Sequence, residues 1–112
     1  MHGTSPSRLD RILRPRSVAI VGISPEPGHM GASVLANLER CHFAGDIHLV
    51  SRSRKEFNGR ACTPSIDDLP HGVDVAVLVV PQNAAVDAVT ACGRRGIGAA
   101  AMVAGIVLLA FG

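Results

Sequence analysis

The chain has 112 residues, 47% of them hydrophobic and 18% charged, which is enough for one buried core and one domain. Its formal charge of +2, with Arg and Lys in local clusters, gives no ground for a nucleic-acid partner, so any anion site is local. Aromatic residues make up 3%, without Trp or Tyr, leaving Val, Ile, Leu and Ala to build an interior suited to a parallel sheet covered on both faces.

Residues 1–16 read as an amino-terminal arm, polar and punctuated by Pro6 and Pro15, with a helical turn or two around Leu9, Ile12 and Leu13. Met1 to Asp10 has no apolar core and is not a signal peptide. The domain proper occupies 17–112 and starts with Ser17-Val-Ala-Ile-Val-Gly22, a β-branched run that predicts a buried first strand. The loop Ile23 to Gly31 leads into a helix over about Met30 to Arg40, with Val34, Leu35 and Leu38 on one face. A turn at Gly45-Asp46 precedes a second strand, Ile47 to Val50, and a polar, basic loop from Ser51 to Gly59.

Ser65 is placed to cap a one-turn helix within Pro64 to Pro70, where Asp67 and Asp68 suit the helix dipole. Val73 to Val80 is the strongest strand and is expected near the sheet centre. Asn83 is expected to cap a helix reaching about Arg95, with Ala85, Val89 and Cys92 on one face, Arg94 and Arg95 at its cationic end and Gly96 as its stop. A last strand covers about Ala99 to Val103. The apolar stretch Ile97 to Phe111 falls short of the roughly 20 residues that cross a bilayer and contains Gly98 and Gly105. It reads as a buried strand with an apolar extension, and not as a membrane segment. Together these elements predict an α/β, three-layer, Rossmann-like fold with a mainly parallel sheet, right-handed crossovers and helices on both faces.

In such a sheet a ligand sits at the carboxyl ends of the strands, and the loop after strand one is the usual phosphate cradle. Here Gly22 would permit the sharp turn, Gly28 the approach of ligand to backbone, and Gly31, next to Met30, close packing at the helix start, where the N–H groups of a helix attract an anion. The pattern is not GxGxxG, because Ser24 replaces the second glycine and Pro25 and Pro27 interrupt the loop. The second strand ends in Ser51-Arg-Ser-Arg-Lys55 where an NAD site has an acid, which favours a ribose phosphate: NADP or the 3′-phosphorylated ADP of coenzyme A.

At this point the chain resembles the CoA-binding domain of NDP-forming acyl-CoA synthetases, which succinyl-CoA synthetase alpha subunits share. The residues that carry the resemblance are Ser17 to Ser24, Pro27-Gly28, Gly31, Gly59, Cys62, Pro64-Ser65, Val73-Asp74 and Val79-Val80-Pro81. It implies that Ser24, Pro25, Gly28 and Gly31 surround the coenzyme's phosphates, Ser51, Arg52, Ser53 and Arg54 its adenosine end, and Val80, Pro81 and Gln82 its pantetheine side. Many members have Asn-Pro-Lys after strand two; Ser51-Arg52-Ser53 stands here, which leaves Arg52, Arg54 and Lys55 as candidates for the phosphate.

In the family the phosphorylated histidine and the ATP-grasp module lie in other domains, so the resemblance implies a module that binds CoA or acyl-CoA, is not catalytic alone, and works with a separate ligase or ATP-grasp chain. Self-association through the apolar tail Val107 to Phe111 is a second kind of partnership. No catalytic residue is assigned: His29 is a loop histidine without a carboxylate partner, and His2, His42, His48 and His71 have no catalytic neighbours. Cys41, Cys62 and Cys92 lack metal-ligand or disulfide spacing, so no metal is expected and a reducing cytoplasm is the natural setting. The competing readings are an NADP-binding domain and a regulatory domain that senses CoA, like the ligase-like domains fused to some protein acetyltransferases.

Overall fold

A computed structural model describes residues 8–22, 30–102 and 107–110. The chain forms α1 (Arg8–Leu13), β1 (Ser17–Val21), α2 (Met30–Arg40), β2 (Asp46–Val50), β3 (Glu56–Phe57), β4 (Arg60–Thr63), β5 (Val75–Leu78), α3 (Ala85–Arg94), β6 (Ala99–Met102) and β7 (Val107–Ala110). Two 3₁₀ turns, Ile66–Asp68 and Gln82–Ala84, precede β5 and α3. The strands make one sheet in the order β3-β4-β2-β1-β5-β6-β7. β4, β2, β1, β5 and β6 run parallel, while β3 and β7 pair antiparallel at the two edges.

Side-chain alternation along the central strands divides the core between the two faces. Ala19 and Val21 of β1, Val50 of β2 and Ala76 and Leu78 of β5 pack with Ala88, Ala91 and Cys92 of α3. Ile20 and Leu49 point the other way, onto Leu35 of α2 and Phe57. The expected three layers are therefore present, with a helix on each face. Cys92 is wholly buried, and that burial pushes its thiol up to about 11, so it packs as a small apolar side chain.

Three expectations are corrected. The polar stretch read as a loop over Ser51 to Gly59 contains β3 and leads into β4, a hairpin turned by Asn58 and Gly59 at φ 50° and 80°. Asn-Gly at positive φ is the residue pair that matches a two-residue hairpin turn to strand twist. Asn83 does not cap α3: it lies inside the 3₁₀ turn, and Ala84 stands at the cap without a side-chain bond. The strand expected over Val73 to Val80 is shorter, Val75–Leu78; at its start the Asp74 N–H donates to Ser17 Oγ at 3.0 Å and not to a neighbouring strand.

The amino ends of the parallel strands are held by one arginine. Arg11 of α1 donates from Nε to Asp74 Oδ1 at 2.7 Å, and from its terminal nitrogen to the carbonyls of Gly72, Val73 and Gly96 at 3.1, 3.2 and 3.1 Å. The second Asp74 oxygen accepts from the Arg16 N–H at 2.8 Å. The segment read as an arm is thus tied to the starts of β1, β5 and β6. Gly96, with φ +68°, ends α3 as expected, and the Ile97 N–H returns to Cys92 O at 3.1 Å. The apolar stretch after β6 supplies edge strand β7, while Phe111 lies outside the described residues. Among the described residues no helix is long and apolar enough to cross a membrane.

Candidate functional site

From β1 the chain moves outward to β2, β4 and β3, then returns to place β5 on the other side of β1. That reversal opens a crevice at the carboxyl ends of β1, β2 and β5, the place where a doubly wound sheet takes its ligand. A cleft of about 710 Å³ lies there, a size that suits a nucleotide-like molecule.

Gly22 forms its floor where β1 ends. Its N–H donates to Val50 O at 2.9 Å, its φ is +96°, and a Cβ at this position would stand 2.1 Å from Val79 O. No other residue fits between β2 and β5 without moving the backbone. Ser51 is buried, donates its N–H to Thr63 O at 2.9 Å, and accepts the Arg54 N–H on Oγ at 3.2 Å, which curls the basic loop over the end of β2. The exposed Arg52 and Ser53 line the cleft beside it, and Val79, Val80 and Pro81 supply the apolar side across from them.

The opposite wall comes from the first 3₁₀ turn and α3. Ser65 caps that turn as expected, its Oγ accepting the Asp67 N–H at 3.0 Å. Ser65, Ile66 and Asp67 line the cleft together with Asn83, Ala84, Asp87, Ala88, Ala91 and Arg94, one stripe of α3 and the turn before it. Asp67 and Arg94 meet across this wall at 3.1 Å. From sequence alone Asp67 suits the helix dipole and Arg94 the helix end; polar Asp87 and Arg94 at helical spacing with Ala84, Ala88 and Ala91 are the available signal that this stripe borders a cleft as well as the core.

The cleft therefore brings together Gly22, Ser51, Arg52, Ser53, Val80 and Pro81 of the residues singled out from the sequence. Gly31 is buried at the start of α2 and does not line it. Arg54 does not line it either: its Nε donates to Glu56 O at 3.3 Å. Ser24, Pro25, Gly28 and His29 lie outside the described residues, as do the side chains of Met30 and Gln82.

The lining mixes two guanidinium groups, two carboxylates, serines and small apolar residues, a set suited to hold a ligand with an anionic part and an uncharged part. Among the described residues no histidine or cysteine lines it, and no group of His, Cys, Asp or Glu comes together that could hold a metal ion. Cys62, half-buried on β4, has its thiol pushed up by burial, with Arg54 pulling the other way and Glu56 adding to the rise, which leaves it a poor nucleophile.

Known proteins share this architecture. A trans-feruloyl-CoA synthase from an unidentified prokaryote is 41% identical over 95 residues, covering 85% of this chain and 13% of its own length. The alpha subunit of an ADP-forming acetate–CoA ligase I from Pyrococcus furiosus is 33% identical, covering 80% of this chain and 20% of its own. The structure of a dinucleotide-forming acetyl-coenzyme A synthetase from Candidatus Korarchaeum cryptofilum, solved with phosphate and ADP, superposes with a TM-score of 0.78 at 33% identity, over 83% of this chain and 20% of that one. The chain thus spans between 13% and 20% of the length of these relatives. The model of the CoA-binding domain family matches residues 16–111, and with the crevice, the glycine floor and these relatives in view the chain belongs to that family and is similar to the corresponding part of NDP-forming acyl-CoA synthetases.

Proposed function

We propose that the chain binds coenzyme A or acyl-CoA in the cleft at the carboxyl ends of β1, β2 and β5. Arg52, with Ser51 and Ser53 beside the Gly22 floor, is the observation that carries this reading in a member of the CoA-binding family. Arg52 meets the 3′-phosphate, the apolar edge at Val80 and Pro81 runs along the pantetheine, and Ser24, Pro25, Gly28 and Met30 complete the phosphate cradle. Chemistry belongs to a ligase and ATP-grasp partner, and the Pyrococcus relative is itself an alpha subunit. The apolar edge strand β7 is where that partner, or a second copy, adds. Three free cysteines suit a cytoplasmic setting.

Isothermal titration tests the binding mode. CoA should bind about tenfold more tightly than dephospho-CoA, the worth of one charge-assisted contact, and Arg52→Ala should erase that difference. Equal affinity for the two ligands would remove the basic loop from the site. Binding of NADP without binding of CoA would overturn the reading altogether.

A further inference from the structure

Two neighbouring arginines end α3, and they are used differently. Arg95 is half-buried and donates from both Nε and a terminal nitrogen to Leu69 O, fastening the helix to the chain beyond the first 3₁₀ turn. Arg94 instead lines the cleft. Its contacts with Asp67 come from one terminal nitrogen, at 3.1 Å to Oδ2 and 3.3 Å to Oδ1, and among the described residues no acceptor meets its Nε or other terminal nitrogen. Both side chains are more than half exposed, at 57% and 55%.

A guanidinium that stabilises a wall is engaged through its fork, as Arg95 and Arg11 are; one with a single nitrogen on a carboxylate keeps its remaining donors for something else. Since Arg95 already holds helix to turn, the Asp67 contact is not needed for that. An exposed pair contributes little to folding, so exchanging the carboxylate for a stronger anion costs little. A phosphate group is such an anion, with more charge than a carboxylate and geometry matched to the guanidinium fork.

We infer that Arg94 is a second anion-binding residue of the cleft, parked on Asp67 in the empty protein and transferred to a phosphate of the ligand on binding. The inference rests on the cleft being the CoA site. It makes the cleft two-ended, with Arg52 at the strand ends and Arg94 on the α3 wall, and it assigns Asp67 the role of competitor.

The roles predict opposite signs. Arg94→Gln should weaken CoA binding about fivefold, while Asp67→Asn, which frees the guanidinium, should tighten it by about threefold. Titration with dephospho-CoA separates the two phosphate sources: with the 3′-phosphate on Arg52 the Arg94 effect should persist, which places the diphosphate at Arg94, whereas its loss would place the 3′-phosphate at Arg94 and remove it from Arg52. Thermal midpoints of both variants check that each is folded, and Asn at 67 keeps the size of the side chain. If both substitutions weaken binding to a similar extent, or neither changes it, the pair is a wall contact and the inference fails while the CoA reading stands. If the unmodified chain binds no CoA, both fall.

Discussion

At the amino ends of the parallel strands, Arg11 commits its guanidinium to Asp74 and three carbonyls, and Asp74 in turn takes the Arg16 N–H. The cleft that opens at the carboxyl ends of the same strands carries Arg52 there and Arg94 farther down the α3 wall, and among the described residues Arg94 spends one terminal nitrogen on Asp67 and has donors to spare. The same side chain serves as a fastener where it is surrounded by acceptors, and is proposed here as a receptor where it is not. Burial and the number of acceptors within reach decide which, and the two ends should respond differently to substitution.

The largest effect is expected at the fastened end. Asp74→Ala leaves the partly buried Arg11 guanidinium and the Arg16 N–H without their partner, and the side chain of Asp74 is 11% exposed, so water cannot fully replace it. Breaking such a pair from one side should cost about 3 kcal/mol, read by chemical denaturation, with ligand affinity unchanged in the fraction that stays folded. A loss below about 1 kcal/mol would show that the amino end is not held in this way.

Gly22→Ala sits between the two ends in character, because it disturbs fold and cleft together. The φ of +96° and the 2.1 Å approach of a Cβ to Val79 O require the backbone to shift where β1 hands over to the cleft. About 2 kcal/mol of stability should be lost, and CoA affinity with it. Unchanged affinity in a destabilised protein would separate the floor of the cleft from the ligand.

The fastened end was the harder one to read from sequence. Arg11 and Asp74 are 63 residues apart, and nothing local marks them as partners. The sheet was legible because Ser17 to Val21 and Val75 to Leu78 are apolar runs whose neighbours are helical in period. The basic end of strand two could be placed because topology puts strand ends at the crevice. The β3–β4 hairpin was missed although Asn58-Gly59 signals it, since strands of two and four residues are too short to show alternation. The α3 wall was missed because its alanines Ala88 and Ala91 are core residues as well as cleft lining, and because the pairing of Asp67 with Arg94 is set by how the 3₁₀ turn docks on the helix.

A small expected effect completes the comparison. Glu39 at the end of α2 pairs with Arg60 of β4 at 3.1 Å, and both are exposed, at 40% and 37%. Glu39→Gln should change stability by less than about 0.5 kcal/mol, as expected for a solvated pair. It removes the same unit of negative charge as Asp67→Asn, yet Glu39 does not line the cleft. At physiological salt, charges separated by more than about 8 Å are largely screened, so CoA affinity should not move. If Glu39→Gln tightened CoA binding as much as Asp67→Asn, the gain would come from net charge acting at a distance, and the exchange of partners at Arg94 would lose its support. Repeating both titrations at high salt separates the cases, because a net-charge effect fades as the Debye length shortens, while the difference between the two variants persists if it arises from one guanidinium changing its acceptor inside the cleft.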